Sequence, residues 1–464
     1  MIERCAEACA RASCRKLFRE HVLCTLLCLG RRTLTGVIAT SGRQYEDWSA
    51  QYRLYSKNRV DPEKCFQIIR ECVESKLTSR APLVVAIDDT IKPKCGTHID
   101  GVSYRRDPLG PRFQTNLVRA QRFLQFSAAV SFEDGSARTI PIDFQHAPSA
   151  KKPGNKADTH QVNQYKEQCK QLNLNTLANE RIASLRSTMD PSRRLVLVVD
   201  GSYTNGSVIK NLPEDVSLIG RIRKDAVLTA LPGQGARTGR RRLYGHDMPS
   251  PEDIRKDSAY EWIKVDAFAS GKIHSFKVKV VKNLLWRKCG AQSQLQLVCI
   301  APLGYRLRKN SKVLYRQPAY LICTDVHRDI QSLLQHYLWR WQIEVNFRDE
   351  KSLLGMGQAQ VRTAASNQNL PAINVASYSM LWLAALEMDS QQRLAPVLPP
   401  PKWRRDLQGK THPSTSQLLN RLRHEAWAAS ITPSSFSHFA NQEHGDAKSE
   451  KPAFDLPSAL FQAA

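Results

Sequence analysis

Two short apolar runs, each followed at once by aspartate, limit the folds open to this chain. The run LVVAI (residues 83–87) leads into Asp88 and Asp89, and the run LVLVV (residues 195–199) leads into Asp200. Runs of this length that are rich in β-branched residues are typical of strands buried on both faces of a sheet. The chain is therefore expected to contain a sheet with at least two central strands.

The segments around these two runs complete an α/β pattern. Three further segments have the composition of strands: 123–132, 139–144 and 216–222. A long helix with a polar face is predicted from about residue 158 to residue 188. Strands and helices in this order predict a mixed α/β sheet.

Carboxylates that follow the strands of an open sheet point into the crevice where ligands bind. Taken singly, each aspartate is more often a turn or cap residue. The case is different when three such carboxylates occur together, here Asp88 or Asp89, Asp200 and the helical Glu344. Three buried carboxylates repel one another unless cations lie between them. Oxygen ligands favour Mg²⁺ or Mn²⁺, and a pair of such ions can act on a phosphodiester. These residues therefore predict a site for two divalent ions.

Four polar residues later in the chain share one side of a predicted helix. At 100° per residue, Tyr337, Arg340, Glu344 and Lys351 fall within an arc of about 60°. The carboxylate can ligate a hard cation, and the phenol and the two cations can hold phosphate oxygens. The alternative is a solvated face with an ordinary i, i+4 charge pair. The apolar residues on most other sides of this helix favour a buried position, in which the polar side chains need partners.

A second polar arc lies on another side of the same helix. It comprises Gln342, Asn346, Asp349 and Glu350. We expect this arc to be exposed to solvent. Glu350 lies about 120° around the helix from Glu344, which makes it the weaker candidate for the acidic site.

Composition favours a polyanionic partner. The 464 residues are 42% hydrophobic, which is enough for two or three domains with cores of their own. Lys and Arg total 68 against 43 for Asp and Glu, so the net charge is +25. Such an excess is typical of nucleic-acid binding, and the alternative is an unrelated basic enzyme.

The cysteines and the apolar segments indicate the compartment. The twelve cysteines form no C-x-x-C pair, which argues against a zinc ribbon or a redox motif. With no secretory signal in the sequence, we expect a reducing, cytoplasmic setting. The apolar run 21–30 is about half the roughly 20 residues that a bilayer requires. It is predicted to be a core helix, with no membrane association.

Changes in pattern along the chain predict five regions. They are a helical DNA-binding region (1–80), the first part of a catalytic domain (81–224), a β-rich insertion (225–324), the second catalytic part with the Glu344 helix (325–390), and a helical patch with a flexible tail (391–464). Within the first region, segment 30–55 mixes basic, hydroxyl and aromatic residues. This segment is either a DNA contact or a packed connector between helices.

Three segments together resemble insertion-sequence transposases of the DDE superfamily. They are AIDDTIKPKCG (86–96), VLVVDGSY (196–203) and YLWRWQIEVNFRDEK (337–351). The last matches, without a gap, the Y-x2-R-x3-E-x6-K signature of one branch (YREK). The similarity extends over residues 30 to 390, approximately. It implies an RNase H-like mixed sheet flanked by helices, interrupted by a β-rich insertion, with a helical N-terminal domain.

The resemblance also implies roles for individual residues. Asp88 or Asp89 and Asp200 would hold the metal ions, and Glu344 would complete an acidic triad. Tyr337, Arg340 and Lys351 would contact phosphates of the transposon end. Some members of the family have Asp-x-Ser/Thr, which favours Asp88, and others have Asp directly before Thr, which favours Asp89. Both stay candidates, with a slight preference for Asp88.

The long separation of Asp200 from Glu344 fits relatives that carry a β-stranded insertion at this position. Such insertions can supply an aromatic residue that stacks on a flipped base. Trp286 is one candidate, although packing in the core is the commoner role for a tryptophan.

The activity implied by the resemblance is DNA transposition. The protein would use two Mg²⁺ or Mn²⁺ ions to cleave double-stranded DNA at transposon ends and to join the 3′-hydroxyls to target DNA, as a homodimer assembled on DNA. One alternative is an RNase H-like nuclease without strand transfer. Another is a non-catalytic DNA-binding descendant of a transposase.

Overall fold

The computed structural model of the chain contains one large mixed sheet, with helices packed around it. The structure describes residues 1–96, 98–107, 110–111, 113–233, 242–308, 310–390 and 412–427. Within these residues the strands are β1 (Leu83–Pro93), β2 (Ser103–Arg106), β3 (Leu117–Ser131), β4 (Ala137–His146), β5 (Leu195–Val199), β6 (Val216–Arg221), β7 (Thr229–Ala230), β8 (Ile263–Ala269), β9 (Lys272–Trp286), β10 (Gly290–Ile300), β11 (Gly304–Tyr305), β12 (Leu314–Tyr315) and β13 (Ala319–Cys323).

Helices pack around this sheet. They are α1 (Ile2–Cys5), α2 (Ala12–Leu27), α3 (Leu34–Thr40), α4 (Ser49–Ser56), α5 (Pro62–Glu74), α6 (Thr159–Gln171), α7 (Leu174–Thr188), α8 (Gly206–Ile209), α9 (Pro251–Lys256), α10 (Ile330–Trp339), α11 (Gln342–Ser352), α12 (Ala364–Ser390) and α13 (Thr415–Trp427). Single 3₁₀ turns occur at Ala6–Ala8 and Arg287–Cys289.

The central strands have the RNase H-like arrangement. Strand β3 pairs antiparallel with both β1 and β4, and β1, β5 and β6 run parallel to one another. The apolar run 195–199 forms β5 with the predicted bounds, and all five of its residues are buried. The predicted α/β fold with a mixed sheet is therefore confirmed.

Pairing between β1 and β5 determines where the aspartates lie. In the ladder Leu83 is opposite Leu195, and Ile87 is opposite Val199. Strand β6 runs beside β5 in the same direction and ends at Arg221. We call the side of the sheet reached by Ile87, Val199 and Arg221 the carboxyl edge.

The predicted β-rich insertion continues the same sheet. Strand β13 pairs antiparallel with β6, β10 pairs with β13, and β9 pairs with β10. Strands β7 and β8 pair with β9, whereas β11 and β12 form a separate two-stranded hairpin. Sequence reasoning predicted β structure here but did not predict its continuity with the catalytic sheet.

The N-terminal helices follow their sequence signals. The Asp61 carboxylate accepts hydrogen bonds from the backbone N–H groups of Glu63 and Lys64, which caps α5 where Pro62 begins it. The apolar run from residue 21 lies mainly in α2, where most of its residues are buried, as predicted for a core helix. Across the described residues, no helix combines the length and the apolar character that crossing a membrane requires.

Two predicted helices are each broken in two. The helix expected at 158–188 stops after α6, and the side chain of Asn173 caps the start of α7 by accepting from the N–H of Asn175. The helix expected to carry Tyr337 to Lys351 breaks at Arg340 and Trp341. Here the N–H groups of Ile343 and Glu344 bond to carbonyls three residues earlier instead of four, which tightens the turn.

The C-terminal prediction is tested only in part. The helical patch predicted near residues 417–427 is α13, which is amphipathic and buries Leu418, Leu419 and Trp427. The predicted flexible tail lies outside the described residues.

Candidate active site

Asp88 and Asp200 lie side by side at the carboxyl edge. They follow Ile87 and Val199, which are opposite one another in the parallel ladder, and neighbouring strands are about 4.8 Å apart. Burial, and next the charge of Asp200, raise the pKa of Asp88 to about 7. The two carboxylates are thus close enough to repel each other.

A short turn fixes Asp200. The N–H of Ser202 donates to its Oδ1 at 2.8 Å, and the hydroxyl of Ser202 donates to its Oδ2 at 3.3 Å. The hydroxyl of Thr204 donates to the backbone carbonyl of Asp200 at 2.6 Å. This Asx-type turn holds the carboxylate in one orientation at the end of β5.

Gly220 on the neighbouring strand leaves room for this turn. A Cβ at Gly220 would lie 2.1 Å from Oγ1 of Thr204 and 3.0 Å from its Cβ. We expect Gly220→Ala to lower the free energy of unfolding by about 1–3 kcal/mol, since overpacking forces neighbours to move. Urea unfolding measures this, with Gly154→Ala as the control because no atom lies within 4 Å of a Cβ there. An equal loss in both variants would contradict the steric explanation.

Arg340 lies among the acidic residues. Its Nη2 donates to Oε1 of Glu344 at 3.2 Å, and its Nη1 lies 4.0 Å from Oδ2 of Asp88. Its guanidinium carbon is 5.8 Å from the ring centre of Tyr337. Burial alone would lower the pKa of Arg340, but Tyr337, Glu344, Asp88 and Asp200 outweigh it and raise that pKa. All four groups are therefore near this one cation.

The pKa shifts of the neighbouring groups describe the same arrangement. Burial raises the pKa of Glu344, Arg340 opposes the rise, and Asp200 adds to it. Burial also raises the pKa of Tyr337, against the effect of Arg340. The structure thus brings together five residues that the sequence singled out: Asp88, Asp200, Tyr337, Arg340 and Glu344.

Asp89 has partners of its own. Successive residues of a strand point to opposite faces, so its side chain lies away from that of Asp88. Its Oδ1 accepts a hydrogen bond from the Tyr203 hydroxyl at 3.1 Å. Burial raises the pKa of Asp89, and Arg122 opposes that rise. The structure does not bring Asp89 into the group around Arg340.

Two further predicted site residues lie apart from this group. Lys351 is exposed at the C-terminal end of α11, where its charged neighbour is Glu350. Trp286 is only 8% exposed and belongs to the hydrophobic core. The Lys288 ammonium lies 5.9 Å from its ring centre. This is the packing role that was the alternative to base stacking.

With this geometry in view, the sequence can be placed in a family. The sequence model that describes DDE superfamily endonucleases matches residues 10–291, more than half of the chain. The chain belongs to the DDE superfamily of endonucleases. A search of curated proteins finds no match. The matched segment contains Asp88 and Asp200 and ends before Glu344.

Nucleases of this superfamily generally use divalent metals, and the donors at the carboxyl edge suit such an ion. Asp88 and Asp200 supply hard oxygen ligands, and a cation would relieve their repulsion. Within the described residues, however, no three His, Cys, Asp or Glu side chains are grouped to hold a metal. The guanidinium of Arg340 lies 3.2 Å from Oε1 of Glu344 and 4.0 Å from Oδ2 of Asp88. The two aspartates fit a divalent cation, and Glu344 would have to leave Arg340 to join them.

Three of the four residues in the second polar arc of the endonuclease are buried, so the predicted exposure of this arc is wrong. Asn346, Asp349 and Glu350 are all below 5% exposed. The amide nitrogen of Asn346 donates to the Thr139 carbonyl at 3.1 Å, and its amide oxygen accepts from Tyr378 at 3.0 Å. The partners of Asn346 thus lie on β4 and α12, which a single-helix projection does not reveal.

Glu350 connects α11 to the strand beside Asp88. The amide nitrogen of Gln125 donates to Oε1 of Glu350 at 3.0 Å, and Gln125 is opposite Asp88 in the β1–β3 ladder. Burial raises the pKa of Glu350 to about 8. Sequence reasoning missed this contact between the helix of Glu344 and the strand of Asp88.

Proposed function

We propose that this endonuclease is a DNA transposase of the branch with the Y-x2-R-x3-E-x6-K signature. It cleaves DNA at the ends of its element and transfers the 3′-hydroxyls to target DNA. The observation that carries the proposal is the gathering of Asp88, Asp200 and Glu344 around Arg340 at the carboxyl edge. The ungapped signature over residues 337–351 supports the assignment to this branch.

Asp88 and Asp200 are the proposed ligands of Mg²⁺ or Mn²⁺, and Glu344 is the third acidic residue. Two such ions, when bound, would activate the attacking water or 3′-hydroxyl and stabilise the leaving oxygen. Asp89 is the less favoured alternative to Asp88, because Tyr203 and Arg122 already surround its carboxylate.

Arg340 and Tyr337 are the proposed phosphate-binding residues. A guanidinium is suited to two phosphate oxygens and a phenol can donate to one. While Arg340 is bonded to Glu344, the acidic residues stay partly neutralised. Binding of the DNA phosphate would give the guanidinium another anion and leave Glu344 available as a ligand. Lys351, which is exposed and apart from this group, would contact the DNA backbone farther along.

The charge and the reaction support the proposed partners. The net charge of +25 favours the backbone of duplex DNA through counterion release. Both ends of an element must be cut together, so a homodimer assembled on DNA is proposed. The proposed setting is the cytoplasm, in association with the nucleoid.

Product analysis tests this function. Purified protein is incubated with Mg²⁺, a target plasmid and a labelled duplex that carries the inverted repeat flanking its gene. Labelled ends joined to the plasmid are the expected product. Glu344→Gln should bind the duplex and yield neither cut nor joined DNA.

Other products would contradict the proposal in distinguishable ways. Cut DNA that is never joined would favour the nuclease without strand transfer, which also fits the endonuclease family. Binding without cutting under any metal condition would favour the non-catalytic descendant. Unchanged cutting by Glu344→Gln would remove the proposed role of that residue.

A further inference from the structure

A hairpin of the insertion projects from the same edge of the sheet as the acidic residues. We call residues 304–316, which contain β11, β12 and the loop between them, the basic hairpin. It connects the end of β10 to the start of β13, and Ile300 is opposite Ala319 where these strands meet. Farther along β13, Leu321 is opposite Arg221, the residue at which β6 reaches the carboxyl edge. The strand pairing therefore places the hairpin at this edge.

The hairpin is within reach of one duplex bound at Asp200. The sheet order from β5 is β6, β13 and then β10. Three strand spacings amount to about 14 Å. One turn of B-DNA is about 34 Å long. A duplex that crosses the carboxyl edge with a phosphate at Asp200 would thus pass the base of the hairpin within half a turn.

The charge of the hairpin is not compensated. Residues 301–324 include five Lys or Arg and no Asp or Glu. Lys309 lies outside the described residues. Among those described, Arg306, Arg308, Lys312 and Arg316 have no carboxylate within salt-bridge distance. Such a set of cations is suited to a polyanion.

Local hydrogen bonds hold the hairpin tip in shape. The guanidinium of Arg306 donates to the backbone carbonyl of Ser311. The hydroxyl of Ser311 accepts from the N–H of Arg308 at 3.0 Å, and the N–H of Ser311 donates to the Arg308 carbonyl, also at 3.0 Å. The side chains of Arg308 and Lys312 stay exposed on this closed tip.

Apolar groups are exposed beside the cations. Leu307 is 74% exposed and Tyr315 is 69% exposed, and the guanidinium of Arg316 lies 5.5 Å from the ring centre of Tyr305. Aromatic rings next to cations are typical of surfaces that bind nucleic acid. A second copy of this chain is a poorer partner, since a molecule of net charge +25 would be repelled by these cations.

We propose that the basic hairpin binds the phosphate backbone of the duplex whose scissile phosphate lies at Asp88 and Asp200. This inference rests on the proposed function, because it assumes that duplex DNA is the substrate. It assigns a DNA-binding role to a part of the insertion outside the acidic site. Arg308 and Lys312 at the tip are the residues that make the phosphate contacts.

Salt-dependent binding tests the hairpin. The double variant Arg308→Ala/Lys312→Ala and the wild type are titrated with the end duplex in EDTA, at several salt concentrations. Loss of two phosphate contacts should lower the slope of log K against log salt by about 1.8 and weaken binding roughly 10- to 60-fold at 0.1 M salt. Arg308→Lys/Lys312→Arg should bind like the wild type, because both charges are kept.

A matched variant separates a specific contact from general charge. Arg80→Ala/Arg194→Ala removes the same charge from two exposed residues just before β1 and β5, at the opposite edge of the sheet. Equal weakening in both double variants, or unchanged binding in the hairpin variant, would overturn the proposal. Since EDTA prevents metal-dependent cutting, the result does not depend on catalysis. A wild type that never cuts DNA would refute the proposed function and leave the binding comparison valid.

Discussion

Asp88→Asn should abolish DNA cleavage, with a loss of at least about 1,000-fold, while DNA binding is retained. The expected size follows because a metal site supplies several kcal/mol of transition-state stabilisation and each 1.36 kcal/mol is a factor of ten. Asp88 is the β1 carboxylate that lies beside Asp200 and 4.0 Å from Arg340. Cleavage of a labelled end duplex in Mg²⁺ measures the loss, and a filter-binding assay in EDTA measures binding.

Asp89→Asn is the matched comparison. It makes the same chemical change one residue away, on the other face of β1. We expect cleavage to fall less than about tenfold, because the Asp89 carboxylate accepts from Tyr203 and interacts with Arg122, outside the group around Arg340. If Asp89→Asn abolished cleavage and Asp88→Asn did not, the assignment of the first acidic ligand would be reversed.

Glu350→Gln should make the protein more stable than the wild type at pH 8 and leave it nearly unchanged at pH 4.5. The pKa of Glu350 is raised from 4.5 to about 8. As pH rises from about 4.5 towards 8, the unfolded chain releases this proton and the folded protein keeps it, so the wild type loses stability. This increase in the pKa of Glu350 corresponds to roughly 5 kcal/mol of lost stability at most. We expect the free energy of unfolding of Glu350→Gln to exceed that of the wild type by about 2–5 kcal/mol at pH 8.

The measurement is urea unfolding of both proteins across this pH range in EDTA. The glutamine side chain introduced at position 350 can still accept the hydrogen bond from Gln125. Because this amide does not titrate, it should cause no loss of stability as the pH rises. Glu350→Ala is the control, since it leaves the Gln125 amide without its partner and a cavity beside it, and should be destabilised at low pH. If the difference in free energy of unfolding between the wild type and Glu350→Gln were the same at every pH, the Glu350 carboxyl would not be held protonated in the folded protein.

The parts of the fold that were predictable are those in which one local signal suffices. The composition of the run 195–199 favoured a buried strand, and Asp61 before Pro62 is typical of the start of a helix, here α5. Since the strand ends of β1 and β5 are parallel neighbours, Asp88 and Asp200 could be expected to meet. The spacing of the signature residues predicted that Arg340 and Glu344 share one side of a helix, and they are hydrogen-bonded in the structure.

The parts that were not predictable depend on long-range partners. Asn346 and Glu350 were expected in solvent, since a helix projection separates its sides without showing which side meets the sheet. Their partners Thr139 and Gln125 are more than 200 residues earlier in the chain. The break in the helix at Arg340 could not be predicted either, because the helical projection assumes a rotation of 100° for every residue.

The continuity of the insertion with the sheet has a consequence for synthesis of the protein. Strands β9, β10 and β13 are added to β6 before the chain enters α10. A growing polypeptide therefore contains all of these strands before Glu344 is added. Under the proposed function, a fragment that ends before Glu344 would contain both aspartates without the third acid, and we expect such a fragment not to cleave DNA.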